Sequence, residues 1–306
     1  MKFRRVSRKR PCSVCEKPDF CGYSQDGTIS ICMRVRSDKA SKNGGWVHRA
    51  DSMMSALPTP SPVVTTSPIA PPDKLDSVYS RLLNLLTLSA LHRSSLEARG
   101  LSPQAIDANL YRSNPSRAYA ETVCRSIGDV EGVPGFYFDR GWRMSDYGRG
   151  FFIPVRDSKG RIRGLQFRKD EGAPKYLWFS SAKSNKGASS GSPVHFSGEL
   201  EFSDEVLITE GPLKADCVAH LTGRAVIAAA GVSTFGQRFA ARLRSRFPHL
   251  RRTLLAFDAD FRTNEAVKSH MFKLVSDLRV QAFDVRVLAW DAAAKGLDDH
   301  IVRSAA

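Results

Sequence analysis

The stretch VLITEG, Val206 to Gly211, and its companion TLLAFDAD, Thr253 to Asp260, decide how this chain is read. Each is an apolar run of strand length that ends on acid: Glu210 in the first, Asp258 and Asp260 in the second. Outward from them lie two more apolar runs, AVIAAAG (225–231) and FDVRVLAW (283–290). Helical patterns separate the runs at 212–222, near 236–246 and near 264–279. Strand and helix alternating at such short spacing predict a parallel α/β sheet, whose ligands sit at the carboxyl ends of the strands. In an extended chain residues two apart point the same way, so Asp258 and Asp260 face one spot. Carboxylates that converge without cations repel. A hard divalent ion with oxygen ligands resolves the conflict, Mg²⁺ first and Mn²⁺ second. An isolated D-x-D is as readily a solvated loop, so context must decide.

Upstream, GFFIPV, RIRGLQF and KYLWF alternate with turn signals over 133–180, which predicts a small antiparallel β region. Before it, 75–112 reads as helical. Val78, Leu82, Leu85, Leu86 and Leu88 fall near helical spacing, Gly100 is a stop, and Ser102-Pro103 starts another short helix. Six prolines with Ser and Thr in 55–74 mark an extended linker. The boundaries expected are 1–52, 53–74 (linker), 75–204 and 205–306.

The first segment holds four of the six cysteines: Cys12, Cys15, Cys21 and Cys32. C-x2-C presents two thiolates to one ion, and two more complete a tetrahedral zinc site with no open position, hence a structural one. The segment has too few large apolar residues to fold without that ion. Cys21 is the least secure ligand, with His48 as substitute; Cys124 and Cys217 read as core. Residues 1–50 carry 12 Lys+Arg against 4 Asp+Glu, about half of the net +15 of the 306-residue chain. So uneven a charge points to a polyanion, nucleic acid first. Phe20, Tyr23 and Trp46 either stack on unpaired bases or pack against the metal site. At 42% hydrophobic the chain is not wholly disordered, and no long apolar run suggests a membrane span. The basic start lacks a following apolar stretch, so a reducing cytoplasm is expected.

At ITEG and FDAD the chain resembles the Toprim domain of bacterial-type primases, topoisomerases and some nucleases. KGLDDHI, with Lys295, Gly296, Asp298 and Asp299, is similar to the motif after the last strand of primase Toprim domains. GRGFFIPVRDSKGRIRGLQFR and KYLWFSS resemble the basic β subdomain before Toprim in replicative primases, and the cysteine segment resembles their zinc domain. The likeness is closest to primase-like proteins of phages, plasmids and integrated elements. It implies an α/β Toprim sheet with helices on both faces, a small α+β subdomain before it, and an N-terminal zinc ribbon-like domain. One departure is Lys214 in EGPLKAD, where replicative primases usually carry an acid.

The resemblance implies a nucleotidyltransferase that makes short primers on single-stranded DNA from nucleoside triphosphates. Glu210, Asp258 and Asp260 would hold Mg²⁺ or Mn²⁺, with Asp298 and Asp299 secondary; the rival reading of that pair is helix-start acids. Arg149, Gln166, Arg168, Lys175 and Lys214 are the nucleotide or nucleic-acid candidates. Arg156, Arg161, Arg163 and Lys169 are further cations of that subdomain, any of which can be plain solvated charge. Tyr176, Trp178 and Phe179 read as core before base stacking. The polar 181–192 is either a flexible flap over nucleotide or a connector, and Ser233 and Thr234 are placed near phosphate. No G-x4-G-K-S/T motif is present, so any helicase partner is expected to be separate. The rival functions are a Toprim nuclease and a non-catalytic nucleic-acid-binding accessory.

Overall fold

A computed structural model describes residues 3–41, 44–49, 65–231, 235, 238–258, 264–291 and 293–305. Two compact units result, Met1–Val63 and Val64–Ala306. In the first, β1 (Phe3–Arg5), β2 (Gly22–Ser24), β3 (Ile29–Cys32) and β4 (Trp46–Arg49) form an antiparallel sheet in sequence order. Its buried cluster is Val6 and the cysteines Cys12, Cys21 and Cys32, with Val14, Cys15 and Tyr23 packed beside them.

The second unit begins with residues 65–71, the far end of the expected linker. They are tied down: Ser67 N–H donates to Gly187 O and Ala70 N–H to Gly132 O. Pro72 then starts α1 (Pro72–Leu85), whose buried stripe is Leu75, Val78, Tyr79, Leu82 and Leu83. Leu85 lies on the exposed side. Next come α2 (Ala90–Glu97) and α3 (Pro103–Ala108), the latter capped by Ser102. After β5 (Arg112–Ser113) runs α4 (Arg117–Ile127). A hairpin of β6 (Phe136–Phe138) and β7 (Trp142–Met144) follows. Then β8 (Gly150–Arg156), β9 (Ile162–Lys169) and β10 (Tyr176–Trp178) join β5 in an antiparallel sheet of order β10-β9-β8-β5. α1 and α4 pack on this sheet around Phe136, Phe152, Phe167 and Phe179.

The last sheet has the order β11-β13-β12-β14-β15: β11 (His195–Ser197), β12 (Glu205–Glu210), β13 (Val226–Ala229), β14 (Arg252–Ala256) and β15 (Asp284–Val287). β12 to β15 are parallel, and β11 adds an antiparallel edge. Side chains alternate across a strand, so each strand serves two cores. Val206, Ile208, Ile227 and Leu255 face α6 (Phe239–Arg246) and α7 (Glu265–Val280). Leu207, Val226, Ala228 and Leu254 face α5 (Pro212–Thr222) and α8 (Leu297–Ala305). This is the α/β sheet with helices on both faces that the resemblance implies. No described helix is long and apolar enough to cross a membrane.

A third core, with Leu96, Ile106, Tyr111, Phe151, Leu213 and Cys217, joins the β8–β9 region to α5. Beside it sits a buried polar network centred on Asp216. His195 Nδ1 accepts from Arg156 N–H at 3.0 Å, so Nε2 carries the proton and donates to Asp216 at 2.9 Å. Tyr111 O–H and Ser197 O–H also donate to Asp216. Burial raises the Asp216 carboxyl, but His195 and these donors outweigh it and hold the group below the usual range. Its contribution to stability is therefore full at neutral pH and fades as pH falls through the lowered folded value. Asp216→Ala strands three polar partners and should cost about 3–5 kcal/mol in urea unfolding.

Candidate functional site

In the first unit the sulfurs of Cys12, Cys15, Cys21 and Cys32 all lie within 4.8 Å of one another. Cys15 and Cys21 are 3.7 Å apart. Zn–S bonds of about 2.3 Å place tetrahedral sulfurs about 3.8 Å apart, so the set fits one zinc. Cys21, the least secure expectation, belongs to it. His48 does not: its Nε2 donates to Val35 O at 3.1 Å. Met33 N–H donates to the Cys21 sulfur, and Arg34 and Val35 N–H to that of Cys32, at 3.2–3.4 Å. Such donors suit thiolates. For Cys15 burial acts upward, but the Lys17 backbone and the neighbouring thiols outweigh it and bring the group down to about 7. Burial pushes Cys21 up to about 12. Arginines cover the three aromatics: Arg10 over Tyr23, Arg34 over Phe20 and Arg36 over Trp46. Tyr23 packs against the cysteines, whereas Phe20 is 79% exposed.

In the second unit, Glu210 ends β12 and Gly211 turns the chain into α5 with φ of 80°, a conformation that favours glycine. Pro212 opens the helix. Asp258 follows the neighbouring strand β14. Both acids line a cavity of about 340 Å³ together with Asp298, Asp299, Gln166, Lys175, Lys214, Arg99, Tyr176 and Lys295. Side chains from Arg99 to Asp299 thus share one pocket because β9 and β10, the sheet ends and the start of α8 meet there.

Lys214, in the first turn of α5, pairs with Asp258; their side chains are 12% and 17% exposed. Burial pulls the Lys214 ammonium below its usual value, against the opposing pull of Asp298 and Glu210. Arg99 pairs with Asp298 Oδ2, while Asp298 Oδ1 is buried with no hydrogen-bond partner among the described residues. Gly296 N–H donates to Asp299 at 3.3 Å, and both acids stand in the first turn of α8. Their helix-start and pocket readings therefore coexist. Around Lys175 the Arg168 charge acts first, then burial, to lower the ammonium.

Other expected residues lie elsewhere. Arg149 is 85% exposed and faces Asp170, and Arg168 stacks over Phe151; neither lines the pocket. Arg161 pairs with Asp73 and Asp157, and Arg163 with Asp157. Phe179 is core, while Tyr176 faces the pocket. The polar 181–192 stretch is anchored at Ser181, Gly187, Ala188 and Ser190, which are buried, while Lys183, Asn185 and Lys186 are exposed. Ser181 O–H donates to Phe136 O at 2.6 Å, and Ala188 is buried. Asp260, Ser233 and Thr234 lie outside the described residues. Arg99 carries no signal in the sequence. It follows an ordinary amphipathic helix, and its partner Asp298 is 199 residues away.

The fold has solved counterparts. The zinc-binding and RNA polymerase domains of the Aquifex aeolicus primase match 99% of this chain and 77% of their own, with a TM-score of 0.60 at 15% identity. The chain shares its fold with the DnaG-type primases. The RNA polymerase domain of Mycobacterium tuberculosis DnaG matches with a TM-score of 0.57 at 17% identity, covering 76% of this chain and 82% of that one. A DnaG primase catalytic domain bound to single-stranded DNA matches with a TM-score of 0.53 at 15% identity, covering 76% and 75%. Residues 202–306 match a family model described as "Domain of unknown function (DUF3854)". No curated protein matches the sequence.

Proposed function

We propose that this protein is a primase-like nucleotidyltransferase that builds short primers on single-stranded DNA. The observation that carries the reading is the convergence of Glu210 and Asp258, from neighbouring parallel strands, with Asp298 and Asp299 in one pocket edged by Gln166 and Lys175. The primase fold supports it, and one relative of that fold carries single-stranded DNA. The donors are carboxylate oxygens, and Asp298 keeps a buried oxygen with no partner among the described residues. Such a set fits Mg²⁺ or Mn²⁺ rather than a soft metal. Glu210, Asp258 and Asp260 are assigned to hold the ion, which when bound supplies electrostatic stabilisation to phosphoryl transfer.

The chain's own residues do the rest. Lys175, Lys214 and Lys295 offer ammonium groups to triphosphate oxygens, and the tight turn at Gly211 fixes Glu210 at the pocket mouth. In the first unit the four cysteines are assigned to structural zinc, and its basic surface to template contact.

The test is incubation with single-stranded DNA, Mg²⁺ and labelled nucleoside triphosphates. Short labelled products that depend on template are expected. Shortened template without products would assign cleavage instead. Unchanged nucleic acid, with full biological activity in Glu210→Gln, would assign a binding role alone.

A further inference from the structure

Four carboxylates line the pocket among the described residues: Glu210, Asp258, Asp298 and Asp299. So do four cationic side chains: Arg99, Lys175, Lys214 and Lys295. Two of the acids are already matched by named partners, Asp258 by Lys214 and Asp298 by Arg99.

The Lys214 pairing is built into the fold. Its side chain is mostly buried and its backbone is fixed in the first turn of α5. Gly296 supplies the room. A Cβ there would meet Lys214 Cε at 2.8 Å, Lys214 Nζ at 3.0 Å and Asp298 Oδ1 at 2.7 Å. The chain therefore keeps open the space through which a long, buried ammonium reaches Asp258. A divalent ion that uses Asp258 must meet or displace that ammonium. Like charges this close repel strongly where water is sparse. A triphosphate changes the balance, because its oxygens are acceptors for which an ammonium readily exchanges a carboxylate.

We infer that Lys214 is a resident counter-cation for Asp258 that the triphosphate draws off, so divalent ion and nucleotide load together and the free protein holds the ion weakly. This rests on the primase-like reading and specifies how its site fills. Coupling of this kind is reciprocal: the factor by which nucleotide tightens the ion equals the factor by which the ion tightens nucleotide.

The experiment is Mn²⁺ binding to the zinc-loaded full chain, followed by electron paramagnetic resonance of free Mn²⁺. It is run with and without a non-hydrolysable α,β-methylene nucleoside triphosphate, and the Mn²⁺ that the analogue chelates by itself is subtracted from a protein-free titration. In the wild type the analogue should tighten Mn²⁺ at least about tenfold. Lys214→Met should bind Mn²⁺ at least about tenfold more tightly than wild type without nucleotide, and should lose most of the coupling. Lys214→Arg keeps the charge and should stay weak, which separates charge from packing. Lys214→Met that binds Mn²⁺ no better than wild type, or keeps the full coupling, overturns the inference. If that variant does not fold, a wild type whose Mn²⁺ affinity ignores the analogue overturns it, and coupling lost in Lys214→Gln sustains it. Primer synthesis together with an unchanged Lys214→Met would sink this inference alone. A wild type that binds both ligands in a coupled way but makes no primers would sink the primase-like reading instead.

Discussion

Removing zinc should unfold residues 3–49 while leaving the fold of residues 65–305 intact. The first unit is held by strands of three or four residues, and among the described residues Val6 is its one buried apolar side chain besides cysteines, with Val14, Tyr23, Ile29, Ile31, Trp46 and Val47 partly covered. Burying a valine contributes about 1.5–3 kcal/mol, whereas ordering each backbone residue costs about 1–2 kcal/mol. The hydrogen-bonded sheet does not close that gap. A four-thiolate zinc site contributes about 10–16 kcal/mol of apparent folding free energy at neutral pH. Chelation, or Cys32→Ser, should therefore erase amide-exchange protection in the first unit and expose it to protease. The second unit has cores of its own around Phe152, Ile208 and Leu207, and its thermal transition should stay put. Metal analysis should return about one zinc per chain. A metal-free preparation with full protection in β2 and β3 would show that something else holds the unit.

What the residues make legible is whatever depends on near neighbours. α5 falls at 212–222 because Gly211-Pro212 starts it and Gly223 ends it in a left-handed turn. The cysteine set is legible because all four fall within 21 residues and begin with a C-x2-C pair. Contacts between distant segments are another matter. β11 is three residues long and sits among Gly, Ser and Pro. It is a strand because Phe196 packs into the sheet core and His195 reaches Asp216. The 181–192 stretch looks loose by composition, yet its backbone finds partners at Thr65 and Ser67. α4 is the reverse case. Ser116 as cap, Val123 and Ile127 one turn apart, and Gly128 as stop are all present, but the buried stripe is only Val123, Cys124 and Ile127. In the pocket Glu210 and Asp258 are legible as strand ends and Asp298 and Asp299 as a helix start. That Lys214 neutralises one of them and Arg99 another is not, since the first pairing depends on how α5 meets the end of β14 and the second on how the end of α2 meets α8.

Asp258→Asn and Glu210→Gln should each lower primer synthesis by at least about 10³-fold, which corresponds to roughly 4 kcal/mol of lost transition-state stabilisation. Both replacements keep the shape and remove only the charge. The Asp258→Asn amide retains a carbonyl oxygen for the Lys214 ammonium, so the pocket should persist, with stability changed by no more than about 1–3 kcal/mol. Glu210 ends its strand and lies only partly buried, so Gln fits there without new packing. Binding of a labelled single strand, measured by fluorescence anisotropy, should hold within about threefold, because the cations proposed to meet phosphate are many and neither replacement removes one. Loss of synthesis with retained binding would place the defect in the chemical step. Asp299→Asn serves as the graded comparison. Its carboxylate, at the third position of α8, accepts from Gly296 N–H as in a capping box, and the Asn carbonyl oxygen can accept the same bond, so a loss of about tenfold or less is expected if the helix-start role dominates. A loss as deep as that of Asp258→Asn would put Asp299 among the ion's ligands. If both Glu210→Gln and Asp258→Asn kept full synthesis, the two strand ends would not be where the reaction occurs, and the shared fold would carry a different activity.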